Sequence, residues 1–311
     1  MQSRENQEVE SWAVIQKMNA EIASRLEEVA DVLEAQEANP YRVQAYRNAA
    51  MTVRKCDRSM DEIVREEGIE GLRELPGIGE SLSRAIHQLV TSGRLPMLER
   101  LRGESDPVEV LASVPGVGKR LAERLHADLG VDTLEELEAA AHDGRLKGIS
   151  GFGEKRIAGI RDSLAGRLGR VRKPTTSGPS HEPAVDEILD VDHEYLMRAG
   201  RGELPKIAPR RFNPKHEAWL PILHIPRGDR HYTALFSNTA RAHQMDKTHD
   251  WVVIYYDGGQ GERQCTVITA ERGPMEGRRI VRGRESECLA HYFATPAQTH
   301  EKGGNRDVTR E

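Results

Sequence analysis

The sequence predicts a multidomain chain: an all-α N-terminal half built of helical hairpins, a linker, and a small α+β C-terminal domain with antiparallel hairpins. Three observations carry this reading. Up to about residue 170 apolar residues recur every three or four positions, residues 171–184 lose both periodicity and apolar content, and beyond them short apolar runs are separated by glycine-rich turns. With 311 residues, 37% hydrophobic but only 5% aromatic, the chain is long enough for two or more cores, and those cores must be aliphatic.

The elements follow in order. Ile22, Leu26, Val29 and Leu33 form one helical stripe. Asn39-Pro40 supplies an N-cap followed by proline at the first helical position, Ser59 precedes Asp61 and Glu62, and Asp132-Thr133 precedes the run LEELEAAA, so each marks a helix start. Residues 10–102 and 103–170 are expected to be two helical units. The stretch 171–185, opening VRKPTTSGPSHEPA, reads as a linker, 186–293 as the α+β unit, and 294–311 as a polar tail. Within the α+β unit, helices are expected near 186–198 and 238–246. Trp219–Ile225 and His231–Phe236 flank PRGDR as one β-hairpin, 251–256 and 264–270 flank DGGQGER as a second, and Arg279–Val281 suggests a further strand.

Composition narrows the function classes. There is no run of about 18 apolar residues and MQSRENQEVE lacks an apolar stretch, so neither a membrane span nor a secretory leader is expected, and the expected address is cytoplasmic. Cys56, Cys265 and Cys288 are scattered, which suits neither a disulfide framework nor a cysteine zinc site. The net charge of −5 hides a division: residues 1–170 carry 24 Lys and Arg against 30 Asp and Glu, whereas 201–290 carry 15 against 11. Contact with a polyanion must therefore be local, through small cationic patches and backbone amides.

A repeat points to such contacts. LPGIGESLSRAI at 75–86, VPGVGKRLAERL at 114–125 and ISGFGEKRIAGI at 149–160 each place a glycine, an apolar residue and a second glycine ahead of a helix. A tight turn demands positive φ, and a phosphate reaches backbone amides only where no Cβ intervenes, so Gly77 and Gly79, Gly116 and Gly118, and Gly151 and Gly153 are the candidate anion-binding residues. Ile78, Val117 and Phe152 are expected to point inward and lock each loop. Lys119, Arg120 and Arg124 follow the second loop, and Lys155, Arg156 and Arg161 the third, where a second phosphate contact falls; the first has only Glu80 and Arg84. The plainer alternative is a helical scaffold whose loops serve packing alone.

With these motifs in order, residues 20–165 resemble the N-terminal part of bacterial family X DNA polymerases, the group that includes DNA polymerase beta. NPYRVQAYRNAAMTVRK at 39–55 resembles the family's first domain, LPGIGESLSRAI and SVPGVGKRLAERL its two helix-hairpin-helix motifs, and GRLKGISGFGEKRIAGI its next segment in bacterial members. The resemblance implies an all-α helix-hairpin-helix N-terminal half that holds DNA without reading bases, at a gap, a nick or a single-strand/double-strand junction, in repair. It implies no cofactor beyond a monovalent cation shared with a hairpin's carbonyls when DNA is bound. Tyr46 and Arg47 fall on the family's AYR motif; a tyrosine there either approaches DNA or packs.

Two departures bear on activity. Family members with lyase activity use a Schiff-base lysine six positions past the second glycine of the first hairpin; here that position is Ala85, and the supporting lysine is Ser81. The polymerase palm, with carboxylates for two metal ions, is not recognisable: Asp190 and Asp192 in LDVDHEY follow the linker directly and read as acidic residues at a helix start. No catalytic or metal-binding residue is therefore assigned. In the C-terminal unit KIAPRRFNPKHEAW interleaves Lys206, Arg210, Arg211 and Lys215 with Phe212 and Trp219, a nucleic-acid surface or a solvated entry loop. Nine of twelve histidines lie after residue 180 without HxH or HExxH spacing, and His224, within an apolar run, reads as a core histidine. A DNA-processing enzyme centred on this unit, or a scaffold recruiting a repair-protein partner, are the competing readings.

Overall fold

A computed structural model describes residues 2–104, 106–168, 182–257 and 262–293. The expected tail lies outside the described residues, as does the linker up to residue 181. The first unit comprises α1 (Gln2–Ala35), α2 (Pro40–Lys55), α3 (Met60–Arg73), α4 (Glu80–Ser92) and α5 (Pro96–Leu101). Asn39 caps α2 as its sequence suggests, its side chain accepting from the Tyr41 N–H at 2.8 Å with Pro40 opening the helix. Ile22, Leu26, Val29 and Leu33 are all buried, in one cluster with Ala49, Ala50 and Val53 of α2.

The start of α3 departs from the local expectation. The Ser59 side chain makes no capping bond. The buried Asn19 of α1 takes over: its Oδ1 accepts from the Met60 N–H at 3.0 Å, while its Nδ2 donates to the carbonyls of Cys56 and Arg58. A side chain 41 positions away thus satisfies the helix start and fixes α3 against α1.

The second unit holds α6 (Pro107–Ala112), α7 (Lys119–Leu129), α8 (Leu134–Asp143), a 3₁₀ turn at Arg145–Gly148 and α9 (Glu154–Arg167). At the start of α8 the Thr133 hydroxyl accepts from the Glu136 N–H, and the Glu136 carboxylate reaches back to the Asp132 N–H at 2.7 Å. Leu111 to Leu168 supply its own hydrophobic cluster.

The C-terminal unit opens with α10 (Val185–Gly200) and continues through β1 (Lys206–Ile207), β2 (Leu220–Arg227), β3 (Arg230–Phe236), α11 (Ala240–Gln244), β4 (Val252–Asp257), β5 (Glu262–Thr269), β6 (Arg279–Val281) and α12 (Glu285–Phe293). The six strands lie in chain order in one antiparallel sheet. Arg227 pairs with Arg230, so the first expected hairpin turns on Gly228-Asp229 alone, with Gly228 at φ 53°. Strand β1 and helix α12 carry no signal in the sequence reading.

Alternation along the strands gives the sheet two faces. Tyr232, Ala234 and Phe236 face α10, whose Tyr195 hydroxyl accepts from the Phe236 N–H and donates to the Pro221 carbonyl. Thr233 and Tyr255 face the helical half: His224 bridges Thr233 and the Gln36 side chain of α1, and the Arg100 guanidinium lies 3.8 Å over the Tyr255 ring while pairing with Glu262. One hydrophobic cluster accordingly runs from Ile22 through Leu101 into Val185–Cys288. Where Arg210 donates its N–H to the Gly103 carbonyl at 2.8 Å, a Cβ on Gly103 would stand 2.8 Å from Pro209 Cα, so only glycine permits this approach.

Candidate nucleic-acid interface

The three loops share one backbone design. Leu75–Ile78, Val114–Val117 and Ile149–Phe152 each close a turn with the fourth residue's N–H on the first residue's carbonyl, at 3.1, 2.9 and 3.2 Å. The third residue of each turn is a glycine at positive φ: Gly77 at 75°, Gly116 at 87° and Gly151 at 105°. Glycine third, after Pro76 or Pro115, is the pattern of a type II turn. Ile78, Val117 and Phe152 are buried, as expected of the residues that lock the loops.

The second glycine of each loop then opens the following helix. Gly79, Gly118 and Gly153 accept the first intrahelical bonds from Ser83, Ala122 and Ile157. Gly79 and Gly118 have extended backbone angles and, as glycines, provide no side-chain cap. The leading N–H groups of each helix therefore lack the partner that serine or aspartate would provide. All six glycines are exposed. A Cβ built on Gly79, Gly118 or Gly153 would meet no atom of the protein within 4 Å.

The second and third loops are mutually braced. A Cβ on Gly116 would touch Arg156 and Ile160 of α9, a Cβ on Gly151 would touch Leu121 of α7, and Arg124 of α7 donates to the Ser150 carbonyl at 2.7 Å. Residues 116 and 156 thus stand to each other as 151 and 121 do, an exchange that relates the two loops by an approximate two-fold.

These turns name their own class. Residues 17–95 match the family described as Helix-hairpin-helix domain, and residues 108–165 match the SAM-like Helix-hairpin-helix tandem. The helical half is a helix-hairpin-helix array. It is also similar to the DNA polymerase/3'-5' exonuclease PolX of Bacillus subtilis (strain 168), with 30% identity over 145 residues, 46% of this chain. The match spans 24% of that relative's length.

Around the helix-hairpin-helix loops, the cations divide into two groups. Lys119 is 71% exposed and 3.9 Å from Glu109, while Arg120 and Lys155 are exposed and have no side-chain partner among the described residues. Arg124 binds a loop carbonyl, Arg156 donates to the Gly151 carbonyl, and Arg161 donates to the Ala141 carbonyl. Those three hold the fold. Beside the first hairpin, Arg84 pairs with Glu80.

Other sequence candidates are placed less openly. Tyr46 is buried with its hydroxyl directed at Met97 Sδ, and burial raises its pKa, so in this fold it packs. Arg47 is held by Glu34 at 2.6 Å. Arg210 presents an exposed side chain, whereas Arg211 is tied to Asp132 at 2.6 Å and lies over Phe212. His224 is the satisfied core histidine expected: burial first, then Arg42 and Arg100, push its pKa down to about 3.

Asp190 and Asp192 need a correction. They lie within α10, whose first turn carries Asp186 and Glu187 instead. Asp192 is buried and accepts from Arg279 Nη2 and Nε at 2.7 and 2.9 Å, and Asp190 pairs with Arg227. Burial raises the Asp192 pKa against the opposing pull of Arg279. Among the described residues, no group of three His, Cys, Asp or Glu side chains is arranged to hold a metal ion, and no helix is long and apolar enough to cross a membrane.

Proposed function

We propose that this protein binds DNA of the gapped or nicked kind during repair, gripping the sugar-phosphate backbone through its hairpins and leaving base edges unread. The observation that carries the reading is the second glycine of each loop. Gly79 and Gly118 lie at φ −84° and −77°, angles open to any residue, and a Cβ there or on Gly153 would meet empty space. Neither packing nor backbone strain calls for glycine at these sites. A group approaching from outside does: a phosphate drawn to bare N–H groups at the positive end of a helix. The similarity to a DNA polymerase/exonuclease supports DNA as the polyanion and repair as the setting. Bound in this way, the protein belongs with the nucleoid.

The second hairpin is also where a monovalent cation fits. No backbone N–H among the described residues takes the carbonyls of Pro115 or Gly116. In the first loop Thr52 occupies the Pro76 carbonyl, and in the third Arg156 occupies that of Gly151. Potassium bound at the open pair would place positive charge beside the same phosphate.

The test compares single-stranded, duplex, nicked and gapped DNA by fluorescence anisotropy. The expected order favours nicked and gapped DNA, with little dependence on sequence and weakening when tetramethylammonium replaces potassium. Equal affinity for all four substrates would overturn the gap reading, and strong sequence discrimination would overturn the backbone reading.

A further inference from the structure

Between the helical half and the sheet lies a cleft with about 170 Å³ of interior space. The start of α8 and the side of α6 form one wall, and the sheet face that carries Tyr255 forms the other. Arg211, Arg241 and Arg282 line it together with Trp251, Tyr255 and Asn238. Arg211 is oriented by Asp132, and Arg241 is exposed, makes no side-chain hydrogen bond among the described residues and acts through its charge on Asp143. Tyr255 is pinned flat from one side by Arg100, a buried side chain whose Nε is unpartnered.

Next to Arg211 in the chain, Phe212 is 45% exposed and has φ 52°, a region that residues other than glycine seldom occupy. Its ring rests 4.3 Å from that of His243, and the network behind it is closed: Asn238 donates to the Arg211 carbonyl, and its Oδ1 lies 2.6 Å from His243 Nε2. The Phe212 ring is thus packed between His243 and the Arg211 guanidinium.

Flat aromatic faces and guanidinium groups in one cleft match the parts of a nucleotide: stacking for the base and planar cations for the phosphate. An apolar ligand would leave the exposed charge of Arg241 unused, and an acidic peptide would leave the aromatic faces unused. Pro107 and Val110 of α6 line the same cleft, and α6 runs directly into the second hairpin loop. Its six residues span about 9 Å, so the two features lie within a few nucleotides of each other.

We propose that this cleft takes a nucleoside phosphate, presented as an unpaired nucleotide of DNA held at the second hairpin; the DNA-borne form rests on the hairpin reading. The test uses the full chain and a blunt duplex against the same duplex carrying a three-thymidine tail. Arg241→Ala removes an exposed cation, and Ala139→Trp fills the cleft from α8, where Ala139 lines it. Thermal melts by circular dichroism confirm the fold, and because Arg241 is exposed it remains informative if the tryptophan variant is unstable.

Wild type is expected to prefer the tailed duplex about tenfold, as one stacked base provides. Either variant should reduce that preference to under about threefold while blunt-duplex affinity stays within about twofold. Thymidine monophosphate, followed by NMR line broadening, separates the source: binding to wild type but not to the variants, without a tail preference, assigns the cleft to free nucleotides. Unchanged tail preference together with absent or variant-insensitive thymidine monophosphate binding overturns the proposal. Gly118→Ala, measured alongside, reports the hairpin reading separately, because it should weaken both duplexes alike and leave thymidine monophosphate binding intact.

Discussion

Replacing the second glycines of the two braced hairpins with alanine separates folding from binding. At Gly118 and Gly153 the new methyl group enters space with no protein atom within 4 Å. Alanine is a poorer N-cap than glycine by about 0.5–1 kcal/mol. It also restricts the unfolded chain, which returns about 0.4–1 kcal/mol. The two nearly cancel, so each substitution should shift the urea midpoint by the equivalent of less than about 0.5 kcal/mol. Binding has no such compensation. A methyl group over the bare N–H groups removes a hydrogen bond to an anion, about 1.5–3 kcal/mol, or roughly tenfold to a hundredfold in affinity. Each loop presents its own N–H groups, so the double variant should approach the product of the single losses. Anisotropy with a gapped duplex at fixed salt reads the affinity, and urea titration reads the stability. A double variant that binds within about twofold of wild type, with its urea midpoint unmoved, would show that these glycines serve no external ligand.

Three further outcomes follow from the same geometry. The slope of log affinity against log salt should flatten by about one unit for each of Lys119→Ala and Lys155→Ala, because each removes one phosphate neutralisation; an unchanged slope would place the contacts elsewhere. His224 stays neutral in the fold with its pKa pushed down to about 3, against an ordinary 6.5, so between those values the unfolded chain takes a proton that the fold refuses. Stability should therefore fall as pH drops from about 6.5 and stop falling below about 3, with a loss of about 2 kcal/mol at pH 5 that His224→Gln abolishes, read as urea midpoints at pH 7 and pH 5. Arg279→Leu leaves the buried Asp192 without its partner and deprives Asp250 of a bond at 2.6 Å, and should cost about 3–5 kcal/mol by denaturant titration; a loss under about 1 kcal/mol would show that the pair is dispensable.

The sequence pattern is most legible where structure is local. Helical periodicity located the stripe at Ile22–Leu33, and three copies of one loop motif located the hairpins, because turn chemistry is written in consecutive residues. It is least legible where partners are distant. Ser59 looks like a cap, yet Asn19 does the capping; Arg211 looks like a surface cation, yet Asp132, 79 positions earlier, claims it. Asp192 reads as a helix-start acid until the fold brings Arg279 to it across 87 positions. No periodicity announces that Gln36 meets His224, or that Arg100 meets Glu262, so the continuity of the first helical unit with the sheet appears only in three dimensions. The two-residue strand β1 is too short to alternate, and the α12 segment ESECLAHYF gives only a weak stripe, with Cys288 as its buried residue.

An excess of carboxylates over Lys and Arg in residues 1–170 is compatible with holding a polyanion only because of how its charges are spent. Arg47, Arg54, Arg58 and Arg94 are each bound to glutamates at 2.6–3.0 Å, so the first unit's cations and anions largely cancel at short range. Beyond about a Debye length, 8 Å at physiological salt, such pairs present little field to DNA. What remains near the loops is Lys119, Arg120 and Lys155, all at the second and third hairpins, while the first is flanked by Glu74 and Glu80. The proposed grip is therefore asymmetric: in it the braced pair bears on the phosphates, and the first hairpin, whose loop has the same turn but an acidic rim, contributes least. Gly79→Ala should then lower affinity by a smaller factor than Gly118→Ala in the same anisotropy assay, and an equal or larger loss would mean that local charge does not rank the three loops.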